Sequence, residues 1–234
     1  MKKFLCIIPA RSGSKGIKDK NIKKLNGIPL IGWTIKDCLK IRNFDKIIVS
    51  TDSIKYAKIA MSYGAEVPFL RSKKNSKDRS EDIDFLKEIY VFYKKKNLFY
   101  NYLVHMRPTT PLRKVGTMKK ILNFFEKNSK NYDSLRSVQK MQESSYKSFI
   151  IKNKNNLASI FKSNKKLDYF NKPRQFFPDT FLPNGYMDIY KSKNLLKKSL
   201  YGKSTAAYVT ENVVEIDYID NFSYLNYLLK KNFK

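Results

Sequence analysis

Short unbroken apolar runs alternate along this chain with stretches in which apolar residues recur every three or four positions. Phe4–Ile8, the apolar centre of Asp45–Asp52, and Tyr102–Met106 are runs of the first kind. They predict buried strands, because a strand covered on both faces has no polar side to show. The helical spacing predicts helices over Pro29–Ile35, over Ser53–Tyr63 with Ile54, Ala57, Ile59 and Ala60 as its stripe, over Asp82–Lys96 with Phe85, Ile89, Phe92 and Tyr93, and over Val115–Lys127. Val67–Arg71 reads as a short strand that Pro68 confines to an edge or an irregular segment. Strands separated by helices imply parallel β-α-β units, hence an α/β fold with a doubly wound, mostly parallel sheet. Ligands of such sheets bind beyond the C-terminal ends of the strands, which makes Arg11–Asn21, Ser50–Asp52, Arg71 onward and Arg107–Arg113 neighbours.

From Ser134 the pattern changes. Ser148–Ile151 and Leu157–Phe161 flank an Asn/Lys turn and predict a small projecting β-hairpin, and Leu167–Pro183 is loop-rich and aromatic. Gly185–Tyr190, Thr205–Val209 and Val213–Asp217 predict further strands before a last helix over Phe222–Lys231. One domain spanning 1–234, with an insertion around 140–183, accounts for the 234 residues.

Charge changes the picture less than its size suggests. The net charge is +28, but only eight of the 48 basic residues are arginine and the lysines are spread along the whole chain. Nucleic-acid readers favour arginine for bidentate contacts, and no helix-turn-helix, RNP or zinc pattern is present. The reading is a solvated basic surface that draws in small anions, with a basic nucleic-acid-binding protein as the rival from another class. No run approaches the roughly 18 apolar residues of a membrane span, and the leader-like start is too short for a signal peptide. Cys6 and Cys38 fall on a strand and a helix without metal-type spacing, as reduced core residues. A cytoplasmic protein without membrane contact follows.

The candidate chemistry lies directly after the first strand. Ala10-Arg11-Ser12-Gly13-Ser14-Lys15-Gly16, with Lys18, Lys20 and Asn21 behind it, concentrates cations and glycines where backbone N–H groups can approach an anion. It is not a P-loop, since Ile17 rather than lysine follows Gly16, and two glycines do not make a dinucleotide fingerprint. Of the remaining singular residues, Asp52 reads as a cap, His105 as a core or supporting histidine rather than a general base, and Trp33 as helix core.

Arg-x-Gly-Ser-Lys-Gly with Lys20-Asn21 four residues on resembles the signature of the acylneuraminate cytidylyltransferases, the CMP-sialic acid synthetase family. Four later segments resemble the same family in order: Arg71 with Asp78 and Ser80; Arg107-Pro108-Thr109-Thr110-Pro111-Leu112-Arg113; Arg174-Gln175 with Asn184-Gly185; and Glu215-Ile216-Asp217. Departures are Lys18 and Ser72 where proline is usual, Arg107 for glutamine, Phe176 for aspartate and Glu215 for aspartate. The resemblance implies a Rossmann-like nucleotide-diphospho-sugar transferase fold and Mg²⁺-dependent transfer of CMP from CTP to a nine-carbon, sialic-type sugar acid, within a homodimer formed around the hairpin. Arg11, Lys15 and Lys20 would act on the phosphates. Ser12, Gly13, Ser14, Gly16, Asn21, Arg71 and Ser80 would hold the nucleotide, and Arg107, Thr109, Thr110, Arg174, Gln175 and Asn184 the sugar acid. Asp217 and Glu215, on one face of a strand, would hold the metal. Arg107 leaves a guanylyltransferase that uses GTP as the alternative within the enzyme class.

Overall fold

The first strand shows how the sequence sorts itself into layers. In β1 (Phe4–Pro9) side chains point alternately to opposite faces. Phe4, Cys6 and Ile8 join a cluster with Ile31 and Ile35 of α1 (Leu30–Leu39), Tyr56 and Ala60 of α2 (Ile54–Ser62) and Met118, Ile121, Leu122 and Phe125 of α4 (Val115–Asn128). Leu5 and Ile7 face the other way, onto Phe85, Leu86 and Ile89 of α3 (Asp82–Lys95). These are the two helical layers of a doubly wound sheet, in a computed structural model that describes residues 3–161 and 166–232. Residues 1–2 of the leader-like start and 162–165 of the predicted insertion lie outside the described residues.

The remaining strands are β2 (Lys24–Leu25), β3 (Ile28–Pro29), β4 (Phe44–Ser50), β5 (Tyr102–His105), β6 (Ser134–Lys140), β7 (Phe149–Lys152), β8 (Asn156–Ser159), β9 (Phe181–Lys191) and β10 (Thr205–Val209). Six of them form one sheet in the order β10-β6-β9-β5-β1-β4. Within it β1 runs parallel to β4 and β5, β10 runs parallel to β6, and β9 is antiparallel to both of its neighbours. The sheet is therefore mostly parallel, as predicted. The hairpin forms as β7 and β8 around Asn153 and Lys154, both in the left-handed region. The last helix, α5 (Ile219–Asn232), buries Phe222, Leu225 and Leu229 against Ile17, Leu25, Leu30 and Ile216.

Four expectations need correction. Val213–Asp217 is not a strand: the Val213 N–H goes to the Gln139 side chain (3.0 Å) and the Ile216 N–H to the Thr109 carbonyl (2.7 Å), so this run ties a loop down instead of extending a ladder. Asp52 does not cap α2; Ser53 does, accepting from the Tyr56 N–H. Trp33 is half-buried, with its indole N–H donating to the Leu25 carbonyl (3.0 Å). Residues 67–71 form no strand beyond the bridge that Glu66 makes to Ile48. Cys6 and Cys38 are free and buried, their sulfurs 3.5 Å apart.

Candidate active site

The backbone leaves β1 at Pro9 into the basic loop, and three side chains fix its course. Asp52, at the end of β4, accepts from the Ser12 N–H (2.7 Å) and hydroxyl (2.8 Å). Buried Asn21 donates to the Arg11 carbonyl (3.0 Å). The Tyr56 hydroxyl donates to Asp19 (2.9 Å), which sits in the left-handed region at φ 54°. Gly13 turns the loop at φ +71°, and a Cβ on Gly16 would lie 3.3 Å from the Asp217 carbonyl. Glycine at 16 thus lets two backbones approach beneath the cations.

Those cations converge on a cleft of about 420 Å³ at the C-terminal ends of β1 and β5, walled by the loop, by α3 and by the segment after β5. Arg11, Ser14, Lys15, Gly16, Lys20, Asn21, Arg71, Ser80, Arg107, Thr109 and Asp217 of the sequence-predicted set all line it. Arg11 and Lys15 reach the two oxygens of Asp78, at 2.9 and 2.7 Å. These contacts, Lys15 first and then Arg11, hold the Asp78 carboxyl below the usual carboxylate range. Lys20 donates to the Ile216 carbonyl (2.9 Å) and to Asp217 (3.2 Å). Arg71 is buried over the Phe85 ring, 4.1 Å from its centroid, with Nε and Nη2 donating to Ser50; burial lowers its guanidinium to about 10.

Other predicted residues sit elsewhere. Ser12 and Gly13 shape the loop from outside the cleft. Thr110 is fully buried and donates to the Asn184 carbonyl (3.0 Å), while Asn184 itself bonds Thr210 (2.7 Å) and the Tyr186 N–H. Arg174 and Gln175 line a separate hollow with Lys140, Phe177 and Asp179. Glu215 accepts from the Thr109 hydroxyl (2.8 Å), whereas Asp217, 60% exposed, faces the cleft beside Lys20. Sequence reasoning had placed both carboxylates on one strand face; without the strand, each follows its own partner.

Among the described residues no group of three or more His, Cys, Asp or Glu side chains gathers as a metal cage. The donor set nevertheless suits Mg²⁺, which keeps water and takes one or two carboxylates plus substrate phosphates. Asp217, exposed beside the phosphate-type cations, is such a carboxylate.

The cleft also holds groups that sequence reasoning passed over. Asp82, at the start of α3, accepts from Arg107 Nη2 (2.9 Å), and buried Asp188 on β9 accepts from Arg107 Nη1 (2.9 Å). Arg107 is thus held between two carboxylates, which raise its affinity for the proton despite burial. Beneath them lies His105, 1% exposed, with no hydrogen-bond partner on either ring nitrogen among the described residues. Burial drives it down to about 4, against the pull of Asp82 at 3.8 Å. In the unfolded chain the ring takes up its proton at about pH 6.5. Stability therefore falls as pH drops from there towards the folded value, by about 1.4 kcal/mol per unit. Urea denaturation between pH 5 and 7 should show this slope, and His105→Leu should flatten it; a flat wild-type profile would contradict the assignment.

Such a cleft, at the ends of parallel strands and lined by a Gly/Ser/Lys loop, is the anion-attracting site of an α/β protein. The chain matches the cytidylyltransferase family model over residues 5–231 and belongs to that family. It is 34% identical over 136 residues to the CMP-N,N'-diacetyllegionaminic acid synthase of Legionella pneumophila, covering 58% of this chain and 59% of that one. It is 30% identical to the N-acylneuraminate cytidylyltransferase of Escherichia coli O18:K1:H7, over 95% of this chain and 50% of that one. The chain therefore spans 59% and 50% of the length of these two relatives. Among solved structures, a CMP:2-keto-3-deoxy-manno-octonic acid synthetase complexed with CTP superposes with a TM-score of 0.72 over 99% of this chain and 100% of its own, at 11% identity. That likeness shows a shared fold.

Proposed function

We propose that this protein transfers CMP from CTP to the anomeric hydroxyl of a nonulosonic acid of the sialic, legionaminic or pseudaminic type. The observation that carries this reading is the convergence of Arg11, Lys15, Lys20 and Asp217 on one cleft behind β1. The relatives named above supply the substrate class, and their names favour CTP over GTP. The Asp78 carboxylate already lies between Arg11 and Lys15 as a phosphate oxygen would, so an arriving triphosphate exchanges with it. Lys20 and Arg11 then offset the charge that grows on the leaving pyrophosphate as the sugar oxygen bonds to the α-phosphorus and the α–β bridge breaks. The proton of the attacking hydroxyl passes to water. Asp217 would hold a divalent cation, Mg²⁺ in this reading, which when bound neutralises phosphate charge and makes that hydroxyl easier to ionise. Arg71 and Ser80 would bound the nucleotide, and Thr109 the acid. Ile151, 72% exposed on the hairpin, with Ile150 and Leu157, supports self-association there.

Pyrophosphate release with each of the four nucleoside triphosphates, against a panel of nine-carbon 2-keto acids and with Mg²⁺, tests the reading. CTP with at least one acid should turn over at least about tenfold faster than GTP, the factor that about 1.4 kcal/mol of discrimination supplies. No acid-dependent release with any triphosphate would sink it. Release with GTP alone would replace CMP transfer by GMP transfer.

A further inference from the structure

The cluster of Asp82, His105, Arg107 and Asp188 does more than the basic loop requires. Arg107 departs from the motif it otherwise resembles, and two of its five donors are committed to carboxylates on α3 and β9. Asp188 is fully enclosed: Tyr190 lies 3.3 Å from one oxygen, and Arg136 approaches the other only to 3.9 Å. Asp82 differs. Its side chain is 39% exposed and lines the cleft; Arg107 takes Oδ2, and Oδ1 has no hydrogen-bond partner among the described residues. Burial would raise this carboxyl, but the permanent charges beside it, the Arg107 guanidinium foremost, outweigh it and hold it below the usual carboxylate range.

Under Asp82 lies a buried imidazole whose two nitrogens go unsatisfied in the same wall. A buried polar group without a partner is destabilising, and a substrate-ordered water can supply the missing partner. An ionised carboxylate over a neutral imidazole repels a carboxylate or phosphate and welcomes N–H and O–H donors.

We propose that Asp82 is a substrate-contacting, specificity-determining residue that accepts hydrogen bonds from N–H or O–H donors of the bound substrate, with Arg107 and Asp188 as positioning residues and His105 as the polar floor. The inference rests on the transferase reading for its substrates. Two sources carry such donors: the base or ribose of the nucleotide, and the hydroxyl and acylamino groups of the sugar acid. Arg107, in this account, aims Asp82; it is not the primary clamp on the sugar's carboxylate.

The test is Asp82→Asn in the full chain. Asparagine keeps the shape and position at the start of α3, so the fold survives. A hydrogen bond to a charged acceptor is worth about 1.5–3 kcal/mol, so KM for the substrate bearing the donors should rise roughly 10- to 100-fold with little change in kcat. An unchanged KM overturns the proposal. So does a fall in KM, which would mean that freeing Arg107 improves its grip on an anion. A second readout needs no turnover. His105 is the sole histidine of the chain, so its ring resonances in ¹⁵N-histidine-labelled protein are assigned without ambiguity. They should move when CTP alone or N-acetylneuraminic acid alone is added, the responding arm identifying the source, and the response should weaken in Asp82→Asn. No shift with either ligand sinks the proposal. A shift without wild-type pyrophosphate release would leave this site standing and remove the transferase reading; release without a shift or a KM effect would do the reverse.

Discussion

Replacing Lys20 by alanine is expected to lower acid-dependent pyrophosphate release roughly 100- to 1,000-fold, the usual loss when one preorganised donor to developing charge is removed. Lys20 differs from Lys15 in being enclosed as well as paired. Its ammonium is gripped by the Ile216 carbonyl and by Asp217, and its side chain is only 18% exposed, against 80% for Lys15. An enclosed ammonium loses little freedom when the transition state forms, whereas Lys15, exposed and paired with Asp78, must first exchange that partner. The variant should fold normally, because a half-exposed ion pair contributes little to stability. Lys15→Ala should fall by a smaller factor. Wild-type rates in Lys20→Ala, with unchanged thermal unfolding, would take Lys20 out of the mechanism.

The second large effect is on stability. Arg113 is buried and spends its guanidinium on one structural knot: Nε donates to the Tyr186 carbonyl (2.7 Å), Nη1 to the Thr34 hydroxyl (3.2 Å), and Nη2 to the carbonyls of Gly185 (2.9 Å) and Arg107. Burial lowers it to about 10, still charged at neutral pH. The knot joins the turn after β5 to β9 and α1, and so sets where Arg107 stands. Arg113→Met keeps the apolar stem but takes the guanidinium away from four acceptors, of which the Arg107 carbonyl retains the Thr110 N–H (3.3 Å). A loss of about 3–5 kcal/mol in urea denaturation is expected, a large share of a domain's stability. Arg113→Lys should recover little of it, since one ammonium cannot span these acceptors. A loss below about 1 kcal/mol would contradict the knot's importance.

The parallel half of the sheet was legible because its strands are covered on both faces and therefore written as unbroken apolar runs. Strand β6 was not. Its buried positions include Ser134 and Ser137, so burial there carries no apolar signal, and an irregularity between Arg136 and Val138 breaks the alternation. Val213–Asp217 misled in the opposite sense: β-branched residues suggested a strand where side-chain and loop partners claim the backbone. The basic loop could be read because its residues are contiguous. Asp78 was in view as part of the Arg71…Ser80 segment but its pairing with Arg11 and Lys15 was not, and Asp82 and Asp188, which hold Arg107, come from α3 and β9. No spacing marks them, since the sheet topology alone brings them to the cations. Thr110 and Asn184 belong to motifs placed near the sugar, yet they serve the scaffold underneath.

The central claim is that the cleft joins the α-phosphate of CTP to a sugar-acid hydroxyl. The most direct measurement is ³¹P NMR of CTP incubated with the protein, Mg²⁺ and the acid. The account predicts that the three triphosphate resonances give way to pyrophosphate and one phosphodiester signal, in equal amounts and only when acid is present. Unchanged CTP, or pyrophosphate accompanied by the monoester signal of free CMP whether or not acid is added, would contradict it.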